Sequence, residues 1–153
     1  MPYIEWTEKL QLGIPVIDGQ HRRIFDYINE IHALTTNDRQ VIGRIVEDLV
    51  DYTYSHFAFE EALMEETGYA ALAIHKETHR AFRNQVDRLK KQHAADENIS
   101  AELAQLLETW LIQHIQNDDA SYAPLVKQQL QSLHAKQNGN WLGKTLRRFF
   151  GNA

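Results

Sequence analysis

The chain has 153 residues, no cysteine and a formal net charge of −5, and 43% of its residues are hydrophobic. That is one domain's worth of sequence with enough apolar residues for a core that needs no disulfide; thiolate and iron–sulfur chemistry is excluded, and an acidic balance argues against nucleic acid as a partner. The opening MPYIEWTEKL places charges where a signal peptide needs an apolar run, and no apolar stretch approaches the roughly 20 residues of a membrane span, so a cytoplasmic protein is expected. Only three prolines (Pro2, Pro15, Pro124) and seven glycines occur, leaving a long proline-free middle that favours an all-α fold.

Residues 1–18 read as an irregular arm with Trp6, Leu10, Leu12, Ile14 and Ile17 available to cover a core. Asp18 is taken as the N-cap of a first helix over about 19–36, in which Ile24, Phe25, Ile28, Ile31 and Leu34 step by three and four. After the turn Thr35-Thr36-Asn37-Asp38, a second helix is expected over 39–66, with Val41, Ile45, Leu49, Tyr52, His56, Phe59 and Leu63 along one stripe. Gly68 is placed as its C-terminal cap. A third helix over 70–93 carries Leu72, His75, His79, Phe82, Val86 and Leu89. The polar segment 94–99 leads to Ser100, read as the cap of a fourth helix bearing Leu103, Leu106, Leu107, Trp110, Leu111 and His114. Four helices joined by short loops pack best as an up-down-up-down bundle.

The ligand-type residues fall at telling intervals. His56 with Glu60, and His75 with His79, are each four apart, so each pair shares a helix face. His21 to His56 and His79 to His114 are both separations of 35 residues. At about 1.5 Å of rise per residue, an up-and-down path returns each pair to the same level within a few Å. Six residues from four helices thus converge, and imidazole with carboxylate suits iron, zinc or manganese. A further acid follows His114 at four residues (Asp118) or five (Asp119). Ideal helix geometry prefers Asp118, whereas a wide turn brings Asp119 round, and Pro124 gives a reason for irregularity nearby. Spacing leaves that choice open.

The pattern His21, His56-x3-Glu60, His75-x3-His79, His114-x4-Asp119 resembles the hemerythrin family in its bacterial single-domain form. The lead-in Trp6-x3-Leu10-x2-Gly13-x3-Ile17-Asp18-x-Gln20-His21 is similar to that family's, as is Trp110-Leu111-x2-His114-Ile115 followed by Asp119-x2-Tyr122. The likeness covers residues 3 to 130. It implies two iron ions: one on His75, His79 and His114, the other on His21 and His56, bridged by Glu60, Asp119 and a solvent-derived oxo or hydroxo group. Five imidazole nitrogens, two bridging carboxylates and that bridge fill eleven of the twelve positions of two octahedra. The open one falls on the two-histidine iron. The resemblance therefore implies reversible dioxygen binding, for storage, delivery or sensing, and no enzyme activity, with Leu111 and Ile115 lining the dioxygen pocket. The rival is a di-iron oxidoreductase handling ferrous iron, peroxide or nitric oxide. Against it, the Glu-x2-His pairs of ferritin-like oxidases are missing.

Other residues carry plainer readings. His32, His93 and His134 are expected as solvated helix histidines, and Glu61, Glu65 and Glu66 as a solvated face. Trp110 and Tyr122 are either hydrogen-bond donors behind the metal ligands or large core residues. Residues 1–135 are read as the bundle and 136–153 as a linker and basic amphipathic tail. In that tail Trp141, Leu142, Leu146, Phe149 and Phe150 share a helical face beside Lys144, Arg147 and Arg148. Either the tail docks on the bundle, or residues 141–150 engage a membrane surface or protein partner.

Overall fold

The computed structural model describes residues 4–34, 38–92, 99–137 and 140–151, without the side chains of 39, 92, 133–137, 140 and 141. The elements are a 3-10 turn Glu8–Leu10, then α1 (Pro15–His32), α2 (Arg39–Thr67), α3 (Leu72–Gln92), α4 (Ser100–Gln113), a π-helical segment His114–Asp119, α5 (Ala120–Gln137) and α6 (Asn140–Phe150). Since α4, the π segment and α5 run on without a break, they form the fourth rod of an all-α up-down-up-down bundle. Neighbour contacts join α1 to α2 and α4, α3 to α2 and α4, and α5 to α2. Among the described residues no helix is long and apolar enough to cross a membrane.

The first helix begins earlier than expected. Ile14 stands at the cap position and Pro15 at the first turn, where its fixed φ and missing N–H are an advantage. Asp18 is therefore inside the helix. Its carboxylate accepts from the backbone N–H of Leu12 at 2.9 Å and of Gly13 at 3.1 Å, tying the arm down from within the first turn. At its other end the helix stops at His32, short of the expected 36. Asn29 clamps the arm further: its Oδ1 accepts from the Ile4 N–H and its Nδ2 donates to the Ile4 carbonyl, both at 2.9 Å. Leu10, Leu12, Ile14 and Ile17 are buried as expected, and Trp6 is partly buried.

In α2 the local signals agree with the structure. Asp38 caps it by accepting from the Gln40 N–H at 3.0 Å. Gly68 ends it in the left-handed region at φ 76°, with the Tyr69 N–H bonded to Met64 O at 3.0 Å and the Gly68 N–H to Glu65 O at 3.2 Å, the paired pattern of a glycine C-cap. Its buried arc is wider than one stripe: Ile42, Val46, Val50, Phe57 and Met64 are buried too. The reason is that α2 packs against α1, α3, α5 and also α6. In α4, Ser100 is the first helical residue and Ile99 takes the cap position.

The tail is docked. α6 packs on α2 and α5, with Phe150 5.2 Å from the ring of Tyr52 and 6.0 Å from that of Phe59. Leu142, Leu146, Phe149 and Phe150 lie half-buried against the core, while Lys144, Arg147 and Arg148 stay exposed. Ending the chain after residue 137 is expected to leave metal content unchanged. It should cost about 3 kcal/mol of stability from these half-buried side chains, or about 6–12 °C in Tm. Thermal unfolding with parallel metal analysis checks this, and loss of metal would contradict it.

Candidate metal centre

All seven sequence-derived ligand candidates meet in the middle of the bundle. His21 comes from α1, His56 and Glu60 from α2, His75 and His79 from α3, and His114 and Asp119 from the π segment. None is more than 4% exposed. Glu60 turns Oε1 to Nε2 of His75 and His79, each at 3.1 Å, and Oε2 to Nε2 of His56 at 3.1 Å and of His21 at 3.6 Å. Asp119 divides its oxygens in the same way. Oδ1 lies 3.1 Å from Nε2 of both His75 and His114, and Oδ2 lies 3.1 Å from Nε2 of His21. Two imidazole groups, of three and of two, thus face opposite oxygens of the same two carboxylates.

The π segment is what makes Asp119 available. A π turn closes after five residues instead of four, so the residue five beyond His114 returns to the same face. Asp118, at four, is not idle: its Oδ2 accepts from Nδ1 of His114 at 2.8 Å on the outer side. Ser121 supports the wide turn by donating to the Asn117 carbonyl at 2.7 Å. Pro124, which has no N–H to give, lies inside the helix that follows.

Each ring nitrogen turned away from the centre has its own acceptor in three cases. Nδ1 of His56 donates to Gln20 Oε1 at 2.6 Å, Nδ1 of His79 to Glu61 Oε2 at 2.9 Å, and Nδ1 of His114 to Asp118. Such partners fix ring orientation and leave Nε2 as the lone pair. Nε2 of His79 and Nε2 of His114 then meet at 3.1 Å, close enough to share a proton or to bind one metal cation together. The donor set therefore fits a metal. Five residues (Glu60, His75, His79, His114, Asp119) form one group with the spacing to hold an ion, and His21, His56 and Glu60 form another.

Glu61 was expected on a solvated face with Glu65 and Glu66; the latter two are exposed, but Glu61 is half-buried against His79. Spacing within one helix could not reveal this, because its partner sits on α3. Gln20 was missed as a partner of His56 for the same reason. Tyr122 is fully buried and donates its hydroxyl to Glu60 Oε2 at 3.1 Å, whereas Trp110 packs, its ring stacked on His114 at 4.2 Å and on Phe82 at 4.3 Å. Leu111 and Ile115 are fully buried on the same rod as His114. His32 is exposed, and His93 and the His134 side chain lie outside the described residues.

The electrostatics of the metal-free fold follow from this geometry. Burial alone would push the imidazoles of His21 and His75 down, but hydrogen bonds and charge from Asp119 and Glu60 overcome it and raise each to about 9. Burial works against His114 as well, and Asp119 and Glu60 raise it to about 10. In His56 burial wins and the pKa is lowered. Burial would raise both carboxylates, yet the surrounding imidazoles hold Glu60 and Asp119 well below the usual range. Burial, then the Glu60 and Asp119 charges, keep Tyr122 a neutral phenol.

His21 and His75 thus bind protons in the native state that the unfolded chain releases near 6.5. Their contribution to stability is complete below pH 6.5 and is lost as pH rises through about 9. The Tm of metal-free protein is expected to fall over that window. A cation takes the place of the protons, so the metal-loaded protein should be nearly flat there. A metal-free Tm that rises instead would contradict the assignment.

Residues 12–126 match the family model described as the Hemerythrin HHE cation binding domain. The chain belongs to the hemerythrin family. It is 47% identical to the bacteriohemerythrin of Stenotrophomonas maltophilia (strain R551-3) over 153 residues, covering 99% of this chain and 100% of that protein. It is 42% identical, with the same coverage, to the bacteriohemerythrin of Pseudomonas aeruginosa (strain LESB58). The crystal structure of a wild-type hemerythrin superposes with a TM-score of 0.75 at 31% identity, over 81% of this chain and 98% of that one. As a hemerythrin, the chain carries a metal-binding site, and the buried His/Glu/Asp cluster is where its donors gather.

Proposed function

We propose that this hemerythrin binds dioxygen reversibly at a non-heme di-iron centre, and stores, delivers or senses it rather than turning over a substrate. The observation that carries this reading is the division of the Glu60 and Asp119 oxygens between one group of three imidazoles and one of two. His75, His79 and His114 would hold one iron, His21 and His56 the other, with Glu60 and Asp119 bridging. Two ferrous ions there would supply two electrons for dioxygen and one open coordination position, on the side with fewer histidines.

The remaining residues serve that centre. Gln20, Glu61 and Asp118 orient the imidazoles through Nδ1. The Tyr122 hydroxyl holds Glu60 in its bridging orientation. Leu111 and Ile115, both 0% exposed, would line the dioxygen pocket and keep water and protons out. The centre lies within residues 1–135, which we treat as the bundle domain, and residues 136–153 form an accessory segment.

Purified protein should hold two irons per chain, since seven side chains are too many for one octahedral ion. The ferrous form should pass through repeated cycles of oxygen and argon with full recovery of its optical spectrum. One tightly held zinc with no uptake of iron would sink the reading. Oxidation within a single cycle, with turnover of peroxide or nitric oxide, would replace it by an oxidoreductase.

A further inference from the structure

The two groups of imidazoles differ in what stands behind them. In the three-histidine group, outer nitrogens meet charge: Nδ1 of His79 donates to a carboxylate oxygen of Glu61 at 2.9 Å, and Nδ1 of His114 to one of Asp118 at 2.8 Å. In the two-histidine group they do not. Nδ1 of His56 donates to the neutral amide oxygen of Gln20 at 2.6 Å, on a side chain 5% exposed. Nδ1 of His21 is buried and has no hydrogen-bond partner among the described residues. The ring of Trp6 lies 6.3 Å from that of His21, and the Arg22 guanidinium stands 5.3 Å from the Trp6 ring. Two carboxylates thus back the first group, and a single neutral amide backs the second.

This difference bears on metal affinity. An imidazole that ligates through Nε2 keeps its proton on Nδ1, and the acceptor of that proton sets how much electron density the ring gives the ion. A carboxylate acceptor makes a charge-assisted hydrogen bond, roughly twice as strong as a neutral one, and brings negative charge close to the cation. Glu61 keeps most of that effect because its side chain is 24% exposed; Asp118, at 44%, is screened more by water. The inner donors are uneven in the same sense. Glu60, His75, His79, His114 and Asp119 gather around one ion position, whereas His21, His56 and Glu60 form the second, with Asp119 3.1 Å from His21.

We infer that the centre fills and empties in a fixed order: a ferrous ion on His75, His79 and His114 is held tightly, the one on His21 and His56 is exchangeable, and Glu61 and Gln20 are the positioning residues that set the difference. The inference rests on the di-iron reading proposed above. Outer partners of metal-bound histidines are each worth roughly 10–100-fold in affinity, enough to separate two otherwise similar positions. The exchangeable position is also the side with the open coordination position. Loss of that one ion therefore leaves a folded, metal-bound chain that does not bind dioxygen.

The test is an anaerobic titration of metal-free protein with ferrous ion in competition with a chromophoric ferrous chelator. Two steps of one ion each are expected, the second weaker by about tenfold or more. Gln20→Ala should weaken the second step by about tenfold and leave the first. Glu61→Ala should weaken the first by about tenfold and leave the second. Gln20→Glu, which gives His56 an anionic acceptor, should bring the two steps closer together. Circular dichroism of each metal-free variant checks its fold. Should the Gln20 variants not fold, the wild-type steps and Glu61→Ala, at a partly exposed position, still decide. Two ions taken up with one indistinguishable affinity, or a tight step that weakens in Gln20→Ala and not in Glu61→Ala, would overturn the inference. Uptake that stops at one ion at saturating ferrous ion would instead deny the di-iron reading.

Discussion

Replacing Asp119 with alanine is expected to empty the centre of at least one metal, whereas replacing Asp118 leaves two in place. The two acids are adjacent in sequence and opposite in role. Asp119 is fully buried and reaches His75 and His114 with one oxygen and His21 with the other. Its removal takes a donor from both ion positions at once and leaves the buried imidazoles one facing carboxylate, Glu60, in place of two. Asp118 has a side chain 44% exposed, and its hydrogen bond is to the outer nitrogen of His114. Its loss should weaken metal binding by roughly 10–100-fold, toward the lower end because water can replace the acceptor. Asp118→Asn, which keeps an acceptor oxygen, should recover most of that. Metal analysis of the three variants, with helical content checked by circular dichroism, decides the matter. Equal metal loss in Asp118→Ala and Asp119→Ala would mean that the bridge is misassigned.

Substituting Leu111 should shorten the life of the oxygen-binding state. Leu111 is fully buried, three residues before His114, and helix geometry directs a long side chain toward the preceding turn and the surface beside it. Leu111→Ala removes that cover and leaves a cavity, at about 2–5 kcal/mol of stability. Irreversible oxidation of the ferrous protein in air should then quicken on the order of tenfold, the effect of about 1.4 kcal/mol on a barrier. Leu111→Asn should do at least as much, because it also admits water. Leu111→Met conserves volume and should stay near wild type. The measurement is the ferrous-to-ferric conversion rate in air for all four proteins. If Leu111→Ala and Leu111→Met oxidise at the wild-type rate, Leu111 does not guard the site.

The helical architecture was legible because its signals are local. The turn ending at Asp38 and the stop at Gly68 bracket α2, and the stripe from Leu72 to Leu89 on α3 faces inward along its length. The convergence of His21, His56, Glu60, His75, His79 and His114 was also legible, since rise per residue and loop length nearly fix their level. What spacing left open was the final acid. A regular helix favours the residue four beyond His114, and only a widened turn brings the fifth to the same face. Asp18 misled because an N-cap and a residue one turn in can both bind loose N–H groups near a helix start; Pro15 was the better marker. Gln20 and Glu61 were invisible for a different reason. Their partners lie on other helices, 36 and 18 residues away, and nothing in the local pattern singles them out.

The widened turn at His114–Asp119 also takes up one residue that an ordinary helix would not need. Gln116 and Asn117 are exposed, and almost any residue type would fit there. Deleting either would let the rod relax to an ordinary helix, in which Asp119 stands four residues beyond His114 and returns to the same face. Tyr122 and Val126, both now fully buried, would keep their phase, and α6 would keep the surface on which it rests. Straightening the turn without a deletion would instead rotate everything beyond it by about 100° and take Asp119, Tyr122 and Val126 off the core together. The segment works as a frame shift in the helical register: one extra residue is absorbed locally, and the phase of the last quarter of the chain depends on its being absorbed.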